Sequence, residues 1–79
     1  MNPIFLIQCE MGSQEIFLTR ALLAMGRLSK AECHRSLQTG AVKVNHEIVM
    51  DPSFKLQKGN TYSIQIGKKN PQKATLVVE

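Results

Sequence analysis

Lys30, His34, Arg35 and Gln38 fall within nine consecutive positions, and Lys43 follows five residues later. Long cationic and amide side chains held on one rigid element reach phosphate oxygens and 2′-hydroxyls, so this spacing points to contact with a nucleic-acid backbone. His34 adds a positive charge to such a surface only in its protonated form. The same pattern also fits the solvated face of an amphipathic helix, where most helix charges sit. Composition leaves both readings open.

The elements that must position these residues are marked locally. Ser29 followed by Glu32 is a capping box, in which the serine oxygen and the glutamate side chain take up exposed amide donors of the first turn. The spacing predicts a helix from Ser29 that ends by Gly40. At about 100° per residue Cys33 and Leu37 form a narrow apolar stripe, with Lys30, His34 and Gln38 on the adjacent face and Arg35 further round. A helix this short is marginal alone and must be held by packing. After it, Val42-Lys43-Val44 and Glu47-Ile48-Val49 alternate around Asn45-His46. That is the signal of a hairpin with a two-residue turn of positive φ, which Asn tolerates well.

The remaining elements support this unit. "SQEIFLTRALLAMG" predicts a first helix capped by Ser13 and stopped by Gly26, with Leu18, Ala21, Leu22 and Met25 at helical spacing. "PIFLIQC" predicts a strand or a buried extended arm within residues 1–12. "DPSF" is a turn, "FKLQKGN" a short strand running into a Gly-Asn turn, "TYSIQI" an alternating strand, and residues 68–79 a basic connection and a final strand. Phe5, Phe17, Phe54 and Tyr62 all sit in apolar patterns and are expected in the core. The order predicts a single α+β domain over residues 1–79, with two helices packed on one side of a small twisted, mainly antiparallel sheet.

Length and charge bound the partners. A chain of 79 residues holds one modest core and little room for a deep cleft. The net charge is +4, and nine of the 10 Lys and Arg residues lie from Arg27 onward, against four of the six acids. An anionic partner is therefore plausible. No nucleophile elbow, Gly-rich phosphate loop, H-E-x-x-H pair or calcium loop is present, and the two histidines stand in no catalytic context. No catalytic residue, metal ligand or cofactor is expected. Cys9 and Cys33 lack metal-ligand spacing and are expected as reduced thiols. The apolar run Ile4-Phe5-Leu6-Ile7 is too short for a membrane span or signal peptide, so a cytoplasmic location is expected.

The stretch "LTRALLAMGRLSKAECHRSLQTGAVKVNHEIVMDPSFKLQKGNTYSI" resembles the small RNA-binding domain named after the ribosomal small-subunit protein S-four. Gly26, Ser29, Lys30, Glu32, Arg35, Leu37, Gly40, Val42, Val44, Asn45, Asp51, Pro52 and Gly59 stand at that family's motif positions, over about residues 16–67. The departures are a helix link one residue shorter, Cys33 for a small alanine, His34 for a basic residue, Ser36 for a leucine and His46 for the turn glycine. The resemblance implies binding of structured RNA by the second helix and the start of the hairpin. Ser29, Lys30, Arg35, Gln38 and Lys43 would make the contacts, with His34 when protonated, and Lys55, Lys68 and Lys69 are expected to add phosphate contacts.

The tail "SIQIGKKNPQK" resembles the last strand of bacterial and organellar tyrosyl-tRNA synthetases, where such a domain lies at the C-terminus. This implies tRNA as the partner and a catalytic domain elsewhere in a parent chain. The alternatives are a stand-alone module for ribosomal or ribosome-associated RNA, the targeting domain of a pseudouridine synthase, or a protein-interaction module docking through Ile4 to Ile7.

Overall fold

The computed structural model describes residues 2–26 and 28–79; Arg27, counted in the charge above, lies outside them. The chain runs β1 Ile4–Ile7, β2 Glu15–Phe17, α1 Leu18–Ala24, α2 Lys30–Gln38, β3 Val42–Val44, β4 Glu47–Ile48, β5 Lys55–Gln57, β6 Thr61–Ile66 and β7 Gln72–Val78. Five strands form one sheet in the order β1-β7-β6-β3-β4, and β2 pairs with β5 in a second, two-stranded sheet. All pairings are antiparallel except that of β1 with β7. The fold class is α+β, with two helices on a mainly antiparallel sheet.

Strand alternation gives the large sheet two unlike faces. The register aligns Val42 with Ile66, Val44 with Ile64 and Ile64 with Ala74, and these residues are buried with Leu76, Val78 and Ile7. Into the same core the helices send Leu18, Ala21, Leu22 and Met25 from α1 and its cap, and Cys33 and Leu37 from α2. Both helices therefore cover one face, since side chains at alternate strand positions point to opposite sides. The other face carries Lys43, Gln65 and Lys73 in one row, as fixed by the pairings Lys43↔Gln65 and Gln65↔Lys73.

Two expectations are corrected. Residues 15–17 were expected as the first turn of a helix capped at Ser13, and they form β2 instead. Ile16 aligns with Leu56 of β5, and the Glu15 carboxylate accepts from Lys55 Nζ at 3.0 Å and Gln57 Nε2 at 3.2 Å. Those hydrogen bonds, Lys55 first and Gln57 second, hold the Glu15 carboxyl below its ordinary range. Ser13 Oγ bonds the backbone of Glu15 in a local turn, and α1 starts at Leu18, whose N–H donates to the Phe54 carbonyl at 2.8 Å. A tertiary backbone acceptor thus replaces the side-chain cap. Its other end follows expectation: Gly26 takes φ +74° and donates to the Leu23 carbonyl.

The second correction concerns the aromatic residues. Phe17 is 45% exposed, while Phe5, Phe54 and Tyr62 pack only partly buried against the core. β1, read as a strand or an arm, is a strand at the sheet edge, with Ile7 buried and Ile4 and Leu6 exposed on the opposite side. The stretch offered as a docking strand in the protein-interaction alternative already pairs with β7 of its own chain.

Candidate nucleic-acid interface

α2 is built to keep a charged face rigid. Ser29 Oγ accepts from the Glu32 N–H and Glu32 Oε1 accepts from the Ser29 N–H, both at 3.2 Å. The capping box is complete. Cys33 and Leu37 are the buried residues of the helix, so the predicted stripe docks it on the core. Burial pushes the Cys33 thiol above its ordinary range, with the Glu32 charge a smaller cause, and the group stays protonated as a packing residue. Lys30, His34, Arg35 and Gln38 are exposed on the remaining surface. Glu32 lies off that face, with its carboxylate turned back to the helix start. Replacing Ser29 by alanine removes the oxygen that accepts from Glu32 and should cost about 1 kcal/mol of stability, read as a lower urea midpoint. An unchanged midpoint would show that packing alone holds the first turn.

The corner after α2 is fixed by main-chain bonds. The Ala41 N–H donates to the Ser36 carbonyl at 2.9 Å, and the Ala41 carbonyl accepts from the Gly67 N–H at 2.8 Å. Gly67, at φ +108°, thereby ties the Lys68-Lys69 turn to the end of α2. The hairpin turn is as predicted, with Asn45 at φ +51° and His46 at φ +71°. Asn45 also locks the hairpin to β6, because its N–H donates to the Ser63 carbonyl at 2.8 Å and its Oδ1 accepts from the Ser63 N–H at 2.9 Å.

The expected residues fall into three groups. Ser29, Lys30, His34, Arg35 and Gln38 share α2. Lys43 points to the sheet face away from the helices and lines, with Lys68, a depression of about 280 Å³ at the corner; Lys69 is in the same turn as Lys68. Lys55 stands apart on the two-stranded sheet, paired to Glu15 at 3.0 Å and 5.2 Å from the centre of the Phe17 ring. It lines a different cavity of about 210 Å³ that also holds the Arg20–Glu10 ion pair. Lys55 thus has a carboxylate partner within the fold, in a pair that is itself partly exposed. Neither of the ion pairs formed among the described residues involves Lys30, Arg35, Lys43, Lys68, Lys69 or Lys73.

Lys73 and Gln65 were not among the expected site residues. They join Lys43 through strand register, and the alternation of "TYSIQI" already put Gln65 opposite its buried neighbours. Which strands lie side by side was not readable from alternation.

Fold and site together define a small α+β domain in which, among the described residues, Lys30 and Arg35 on α2 and Lys43 and Lys68 at the corner after it stand outside the ion pairs. The chain is 44% identical over 48 residues to tyrosine–tRNA ligase of Helicobacter pylori (strain J99), a match covering 61% of this chain and 12% of that protein. A second match, 42% identical over 48 residues and again 61% of the chain and 12% of the relative, is to tyrosine–tRNA ligase of Legionella pneumophila (strain Lens). The chain is thus similar to a segment of these ligases, and the matched segment is 12% of their length. No family model matches the chain. Among the described residues no three His, Cys, Asp or Glu side chains gather as metal ligands, and no helix is long and apolar enough to cross a membrane.

Proposed function

We propose that this chain is a non-catalytic RNA-binding domain of the S-four type that holds tRNA in the cytoplasm, as the C-terminal part of a protein resembling tyrosine–tRNA ligases. The observation that carries the reading is the exposed face of α2, where Lys30, Arg35 and Gln38 stand on a capped, docked helix and neither cation has a carboxylate partner among the described residues. A duplex backbone is a rigid array of phosphates, and cations on an already folded helix meet it with only their side chains left to order at the moment of binding. The exposed amides at the Ser29 end add the positive end of the helix dipole. Similarity to the tyrosine–tRNA ligases of two bacteria supports tRNA as the RNA. The role proposed for this chain is holding; joining amino acid to tRNA belongs to the relatives' full length.

The test is fluorescence anisotropy with labelled tyrosine tRNA, a second tRNA and duplex DNA over a range of salt. Tightest binding to the tyrosine tRNA is expected, with a slope of log K on log salt of about −4.5, as for roughly five neutralised phosphates. Affinity for tRNA no greater than for duplex DNA would overturn the reading.

A further inference from the structure

The depression beside the α2–β3 corner differs in chemistry from the face of α2. Lys43, Lys68, Gln65, Ile48 and Pro71 line it together with Gly40, Ala41 and Gly67, and strand register sets Ile48 and Gln65 on either side of Lys43. Ile48 is 59% exposed, an apolar side chain left in water directly beside a lysine. Lys73 stands next to Gln65 in the same row, about 10 Å from Lys43 at two strand spacings. The residues whose register puts them on this face, with Ile48, Lys43, Gln65 and Lys73 in one row, include no acid.

Paired RNA offers such a surface only phosphates and sugars, which the lysines alone could meet. Apolar side chains and an amide beside two lysines suit a whole nucleotide: phosphate at the lysines, base face against Ile48 or Pro71, base edge at Gln65. Bases reach a protein in this way where they are unpaired and turned out of the helix. We infer that this depression takes up one unpaired nucleotide of the bound RNA, so that the partner is a structured RNA with a bulge or loop next to the duplex gripped by α2. The inference rests on the RNA-binding reading above. It adds Ile48, Gln65 and Lys73 to the interface and gives the corner a task distinct from that of the helix.

The experiment compares two labelled RNA hairpins, identical except that one carries a single bulged uridine, against the full chain and an Ile48→Ser/Gln65→Ala variant. Both substituted positions are away from the core, and circular dichroism checks that the variant folds. The full chain should bind the bulged hairpin roughly fivefold more tightly, the effect of about one net hydrogen bond. In the variant the ratio of the two affinities should fall to about one. A uridine carrying a photoreactive group at the bulge should cross-link to β4 or β6 in the full chain. Equal affinity of the full chain for the two hairpins, or a preference that survives in the variant, would overturn the subsite and leave RNA binding by α2 standing. Failure to bind either hairpin more tightly than duplex DNA would overturn both.

Discussion

Replacing Leu37 by alanine is expected to lower the stability of the domain by about 2–5 kcal/mol, the range for removing a fully buried leucine. Leu37 has no solvent exposure and shares with Cys33 the whole apolar contact of α2 with the core. That helix has nine residues, too few to persist alone, so its docking is its stability. A domain of 79 residues has roughly 4–12 kcal/mol in total, and the variant should lose a large part of it. In a thermal melt this corresponds to a midpoint lower by roughly 10–30 °C. Leu23→Ala, at a position 38% exposed on α1, is the matched control and should shift the midpoint far less. If the two variants melt alike, Leu37 does not anchor the helix and the core described here is misassigned.

Removing two charges from the same helix should leave stability alone and change binding. Lys30 and Arg35 are exposed and outside the ion pairs formed among the described residues, so Lys30→Ala/Arg35→Ala breaks no contact that supports the fold. At about 1 kcal/mol for each phosphate contact, tRNA affinity at moderate salt should fall roughly thirtyfold, if the two sites add. The salt slope should become shallower by about 1.8, because two fewer phosphates are neutralised. Lys55→Ala is the informative comparison. Its ammonium already pairs with Glu15 across the two-stranded sheet, so its removal should cost little RNA affinity. Loss in Lys55→Ala equal to that in the double variant would mean that the Glu15–Lys55 surface also meets the RNA. An unchanged slope in the double variant would remove α2 from the interface.

What the chain's sequence determined by itself is local. The capping box of Ser29 and Glu32, the left-handed stop at Gly26, the positive-φ turn at Asn45-His46 and the Cys33/Leu37 stripe each arise from residues within a few positions of one another. Their geometry follows from side-chain reach and backbone preference alone. The cationic face of α2 was legible for the same reason. Tertiary structure decided everything that depends on partners distant in sequence. Glu15-Ile16-Phe17 continues a helical pattern, yet it is a strand because Lys55-Leu56-Gln57 offers it a ladder some 40 residues further on. Ile4–Ile7 lies parallel to residues 75–78, at the opposite end of the chain. Alternation states which side chains share a face of a strand, but only pairing states which strands are neighbours. That is why sequence grouped Lys43 with the cations of α2, whereas its place on the sheet face away from the helices, its company with Gln65, Lys68 and Lys73, and the separation of Lys55 from all of them emerged only when the sheets closed.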